Sequence, residues 1–149
     1  MATQLHPLRF KPVYKDYIWG GDKIVRLYNR QEPPGIYAES WEVSDRNDGM
    51  SVVANGELAG KSLRDAVLAF GSDLLGTRVH AQAFPLLIKL IDSRERLSVQ
   101  VHPNDATAKK YGGEAKTEMW YVLDAEPGAG VFAGAAPAGA APTGAGPPF

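Results

Sequence analysis

Three polar residues in the second half of the chain have the types and spacing of ligands for a divalent metal ion. Gln100 and His102 are two residues apart in an alternating segment, so both side chains would point from one face of a strand. Glu118 lies in a second such segment and would share that face if the two strands pair. An amide, an imidazole and a carboxylate suit Zn²⁺. A half-exposed strand with polar residues facing water explains the same pattern. The Gln-x-His spacing alone does not distinguish this strand from a metal site.

Two lysines could extend this chemistry. Lys116 precedes Glu118 by two residues and would lie on the same side, where it is either an anion contact or a solvated loop lysine. Lys89 lies within the apolar segment 84–92, where an unpaired charge would be costly. It must therefore pair with a carboxylate or face a polar cavity, and both a functional and a structural role stay open.

The elements that must position these residues are mainly strands. The segment 84–92 is nearly all apolar, as in a strand buried on both faces, whereas 97–102 and 117–125 alternate in the manner of half-buried strands. One short helix is predicted after the capping residue Ser62, and a second from 104 to 111, before two glycines. We therefore expect a mainly β fold with two short helices.

Composition narrows the class of protein. The 149 residues allow one domain, or one domain with a tail. The net charge of -1 argues against non-specific binding to nucleic acid or acidic membranes. With no cysteine, a metal site must use nitrogen and oxygen ligands. The sequence shows no secretory signal and no apolar run that could span a bilayer, so we expect a cytoplasmic protein.

The end of the chain differs from the rest. All charged residues precede Pro127, and the segment that follows is dominated by glycine, alanine and proline. Such a segment cannot bury enough apolar surface to offset its ordering entropy. We therefore predict a folding unit at 1–132 and a disordered tail at 133–149. The match of 128–133 to a dinucleotide-binding fingerprint is discounted, because Pro137 and Pro142 prevent the helix that this motif requires.

Two of these segments together resemble a known family. LSVQVHPND at 97–105, followed by KTEMWY at 116–121, closely resembles type I mannose-6-phosphate isomerase (phosphomannose isomerase). The resemblance covers residues 8 to about 127. It implies a metal-dependent cupin, so that this chain would form an incomplete antiparallel jelly-roll barrel.

The resemblance also implies roles for individual residues. By position, Gln100, His102 and Glu118 match three zinc ligands of the family, and Lys116 matches an active-site lysine close to the substrate. The implied activity is the interconversion of mannose 6-phosphate and fructose 6-phosphate, with one Zn²⁺ per chain and a small sugar phosphate as the bound partner.

The C-terminal part departs from the family pattern. No histidine follows His102 and no arginine follows Arg96, so the family's fourth ligand and its active-site arginine have no counterpart. We therefore expect an N-terminal portion of such an enzyme, with activity reduced or lost. The alternatives are a non-catalytic cupin-like module that binds metal or sugar, and a partly folded remnant whose exposed strand edges need a partner.

Overall fold

Short strands and helices make up the regular structure of the computed structural model, which describes residues 5–79 and 82–132. The chain divides into two compact units, Met1–Val99 and Gln100–Phe149. In chain order the elements are β1 (Phe10–Lys11), β2 (Val13–Lys15), α1 (Lys23–Leu27), β3 (Glu39–Val43), β4 (Val52–Val53), α2 (Leu63–Phe70), α3 (Ser72–Leu75), β5 (Ile88–Ile91) and α4 (Asp105–Tyr111). The tail predicted at 133–149 lies outside the described residues, so its disorder and the 1–132 boundary stay predictions.

The strands of the first unit form two antiparallel sheets. β1 pairs with β4, while β2, β3 and β5 form a three-stranded sheet in which β3 is central. Trp41 of β3 lies opposite Val13 on one side and Lys89 on the other. The register with β5 then shifts between Trp41 and Val43, as at a β-bulge. The predicted mainly β fold with short helices is confirmed.

The central strand β3 carries carboxylates on both faces, and each is neutralised by a cation from elsewhere in the first unit. The buried Glu39 accepts hydrogen bonds from Lys89 Nζ at 2.8 Å and from Trp41 Nε1 at 2.7 Å. On the opposite face, Glu42 accepts from Arg30 at 2.9 Å. Of the two roles left open for Lys89, the structure supports the structural one.

Both predicted helices form, and their caps explain why. Ser62 and Asp65 bond reciprocally at the start of α2, at 3.0 and 3.1 Å, in a capping box. The side chain of Asn104 accepts the Thr107 N–H at 2.9 Å at the start of α4, which ends at Gly112 with a left-handed φ of 70°. α1 and α3 were not predicted, and neither has a side-chain cap. No helix among the described residues is long and apolar enough to cross a membrane.

The strands predicted at 97–102 and 117–125 are wrong for this structure, and the one at 84–92 is shortened to β5. A strand is completed by ladder hydrogen bonds to a neighbour. From residue 92 to 132, the described part of the chain contains no strand of a sheet. Apolar side chains of the alternating segments are consequently exposed, for example Val99 at 97% and Met119 at 92%.

We expect Lys89→Met to destabilise the first unit by about 3 kcal/mol, because it leaves the Glu39 carboxylate buried without its cation. Urea unfolding followed by circular dichroism measures this change. Glu39→Gln combined with Lys89→Met removes both charges and should recover part of the loss. Lys61→Met, at an exposed position, is the control. Equal unfolding midpoints for the Lys89 and Lys61 variants would contradict the structural role.

Candidate metal centre

A closed loop in the second unit brings two of the three predicted ligands together. The backbone N–H of Lys116 donates to the carbonyl of Pro103 at 3.1 Å, so the chain returns beside its own path after α4. Between these two residues, the capped α4 supplies a spacer of fixed length, and the N–H of Gly113 bonds back to Ala108 at 2.9 Å. His102 and Glu118 flank this closure and therefore meet.

The carboxylate of Glu118 is the centre of the site. Its Oε2 lies 2.6 Å from His102 Nε2, and its Oε1 lies 2.7 Å from Lys116 Nζ. The indole Nε1–H of Trp120 also donates to Oε2, at 3.3 Å. The Glu118 side chain is 24% exposed, so the group is covered by its partners but still open to a ligand.

These contacts shift the pKa of the Glu118 carboxyl group. Partial burial alone would raise the pKa of this carboxyl group. Hydrogen bonds from Lys116, His102 and Trp120, together with the positive charge of Lys116, outweigh the burial and lower the pKa to about 2. Glu118 is therefore an ionised carboxylate at neutral pH, which is the form that binds a metal ion.

Gln100 is the third candidate ligand. It lies two residues before His102 and is exposed. Among the described residues, no three side chains of histidine, cysteine, aspartate or glutamate form a metal-binding group. A metal site in this unit would therefore need a ligand of another type, and the Gln100 amide oxygen stays the predicted one.

The donor atoms present fit a zinc ion. An imidazole nitrogen and a carboxylate oxygen, with an amide oxygen as a possible third, match zinc's preference for nitrogen and oxygen ligands in the absence of thiolates. The 2.6 Å contact between His102 and Glu118 is a direct hydrogen bond, which a metal would replace.

Trp120 takes part in the site as a hydrogen-bond donor to Glu118, a role that the sequence did not predict. Its position two residues after Glu118, on the same side of an alternating segment, was the available signal. Three residues spaced by two, Lys116, Glu118 and Trp120, converge on one carboxylate although the structure assigns them no strand. Alternation thus predicted which side chains share a face, but not the donor role of the indole.

Comparisons of the chain with a family model and with known proteins agree on one family. The family model of the phosphomannose isomerase type I catalytic domain matches residues 8–133. A probable mannose-6-phosphate isomerase of Bacillus subtilis, GmuF, is 41% identical over 131 residues, 87% of this chain and 41% of the relative. The mannose-6-phosphate isomerase of Streptococcus mutans is 38% identical, over 86% of this chain and 40% of the relative. The chain thus spans about two fifths of the length of these relatives.

A solved structure supports the same relationship. The crystal structure of the mannose 6-phosphate isomerase from Bacillus subtilis matches with a TM-score of 0.64 and 35% sequence identity. The match covers 73% of this chain and 34% of that chain. It confirms the fold class expected from the sequence, a mainly β, cupin-type chain that corresponds to part of the barrel.

We expect Lys116→Met to raise the pKa of Glu118 from about 2 toward its ordinary value, because a hydrogen bond and a positive charge are both lost. In the wild-type protein the lowered pKa stabilises the fold above the ordinary pKa near 4.5, and this contribution is lost as the pH falls toward 2. Carboxyl ¹³C NMR across an acid titration measures the shift.

Lys109→Met is the matched control, since Lys109 is an exposed lysine on α4. It should leave the titration of Glu118 unchanged. If the Lys116 variant titrates like the Lys109 variant, the ion pair between Lys116 and Glu118 does not lower the pKa of Glu118.

Proposed function

The chain belongs to the type I phosphomannose isomerase family, and on that basis we propose that it acts in the zinc-dependent interconversion of mannose 6-phosphate and fructose 6-phosphate. The observation that carries this proposal is the cluster of His102, Glu118 and Lys116, which occupy the motif positions named above and meet at one carboxylate. The names of the relatives support the same activity. The reaction is an aldose–ketose isomerisation of a small sugar phosphate, and cytoplasmic carbohydrate metabolism is the expected setting.

Gln100, His102 and Glu118 are the residues proposed to hold one Zn²⁺. When bound, the ion supplies a Lewis acid that polarises the sugar carbonyl and stabilises negative charge as a proton moves between C2 and C1. The ionised state of Glu118 supports this assignment, because the carboxylate needs no deprotonation before it accepts a metal. The Nε2 atom of His102 already faces that carboxylate.

Lys116 is proposed as the catalytic residue nearest the substrate. Its side chain is 42% exposed, although its ammonium is held 2.7 Å from Glu118 Oε1. An ammonium has three donors. One serves Glu118, and the others are oriented by that contact for a hydroxyl or phosphate oxygen of the sugar. The lysine would thus bind and orient substrate at a fixed distance from the metal ligands.

A second candidate function is a module that binds metal or sugar without turnover. The observation in its favour is that, in the part of the chain that the structure describes, no three side chains of histidine, cysteine, aspartate or glutamate form a metal-binding group. Three protein ligands and a water molecule are nevertheless sufficient in many catalytic zinc sites. Metal binding and turnover must therefore be measured separately.

We expect the purified chain to isomerise mannose 6-phosphate in a coupled assay with added zinc at a lower rate than the Bacillus subtilis isomerase, and to lose that turnover in a chelator. The Bacillus subtilis isomerase serves as the positive control under the same conditions. Lys116→Ala should lower turnover by about 100-fold, because an oriented donor to the substrate is removed. Zinc binding without turnover would overturn the isomerase proposal in favour of the non-catalytic module.

Zinc content after dialysis tests the ligands independently of activity. We expect His102→Ala to abolish zinc retention, because the imidazole ligand is lost, and Glu118→Gln to weaken it more than Lys116→Ala does. His80→Ala is the control, since the sequence gives His80 no ligand pattern. Unchanged zinc content in the His102 variant would refute the site, and equal retention in the other two would remove Glu118 from the ligand set.

A further inference from the structure

Two glutamates of this chain are held by the same arrangement of partners. In Glu39-Ser40-Trp41, the indole of Trp41 donates to Oε2 of Glu39 at 2.7 Å, and Lys89 Nζ lies 2.8 Å from Oε1. In the second unit, Trp120 donates to Oε2 of the glutamate two residues before it, and a lysine lies on Oε1. We call this arrangement the lysine–tryptophan clamp. In it, one oxygen of a glutamate contacts a lysine, and the other accepts from the tryptophan two residues after that glutamate.

The two clamps differ in what else reaches the carboxylate. The side chain of Glu39 is 10% exposed, and its clamp lies in the buried central strand β3, where it neutralises a core charge. The carboxylate of Glu118 is more open, and its Oε2 also faces His102 Nε2 at 2.6 Å. The same local device is therefore closed in the first unit and open to a ligand in the second.

We propose that Trp120 is a positioning residue of the metal centre, which directs Oε2 of Glu118 toward His102 and the ion that both would bind. This inference rests on the zinc site of the proposed function. The last torsion angle of a glutamate side chain has a broad, roughly two-fold distribution. One contact therefore does not fix the direction of both carboxylate oxygens. Lys116 anchors Oε1, and the indole anchors Oε2.

The chemistry of the indole suits this role. An indole N–H only donates, so Trp120 cannot itself bind the metal, but it occupies one lone pair of Oε2. The other lone pair of that oxygen faces His102 Nε2 in this structure, and a metal that replaced this hydrogen bond would take its place. Partners of this kind, which hydrogen-bond a ligating carboxylate, typically contribute 10–100-fold in metal affinity. The tryptophan is half-exposed, so the lower end of that range is expected.

The test is the zinc affinity of Trp120→Phe, measured by competition with a chromophoric chelator. Phenylalanine keeps an aromatic ring and removes the donor, so affinity should fall about 10-fold. Met119→Ala is the matched control, because Met119 is the adjacent, almost fully exposed residue. It should bind zinc as the wild type does. Equal affinities of the two variants and the wild type would overturn the positioning role while leaving the zinc site intact.

A second measurement does not depend on the Trp120 variant being folded. In ¹H–¹⁵N spectra of the metal-free protein, Glu118→Ala should shift the indole resonance of Trp120 and leave that of Trp41 in place. Zinc added to the wild type should move the same Trp120 resonance. An unmoved Trp120 resonance in both experiments would overturn the inference, whereas failure of the wild type to bind zinc would instead overturn the proposed function on which it rests.

Discussion

The need to neutralise the buried carboxylate of Glu39 determines how the first unit is assembled. A carboxylate in the central strand of a sheet is tolerated only if both oxygens have partners. Trp41 supplies one partner from the same strand face, and Lys89 supplies the other from the paired strand β5. A slip of one residue in that pairing would turn Lys89 to the opposite face. The ion pair thus fixes the register of the sheet as well as its charge.

The second unit is organised by polar contacts rather than by a core. Among its described residues, only Ala108 is buried. Its shape comes from the capped helix α4, from the backbone bond that closes the loop, and from the partners of Glu118. The geometry of the candidate metal centre therefore depends on hydrogen bonds and charges, with little help from packing of apolar side chains.

How well a structural feature could be predicted depends on how far apart along the chain the residues that determine it lie. The helices after Ser62 and Asn104 were predicted because their caps act within a few residues. The pairing of Lys89 stayed open because its partner lies 50 residues away along the chain. The strands predicted at 97–102 and 117–125 were wrong. Alternation indicates which side chains share a face, but it does not show that a neighbouring strand is present to pair with. His102 and Glu118 nevertheless meet, through the closed loop around α4 instead of through strand pairing, while Gln100 stays a predicted ligand.

The loop that joins His102 to Glu118 has a kinetic consequence. These two side chains are 16 residues apart in sequence, against 50 for Glu39 and Lys89. Because the entropy lost on closing a loop rises with its length, contacts between near neighbours tend to form first. During synthesis, residues 102–118 emerge from the ribosome within a short interval and carry their own helix between the two ends. The contact between His102 and Glu118 therefore assembles soon after residue 118 is added, on a timescale set by local chain diffusion rather than by the pairing of distant strands.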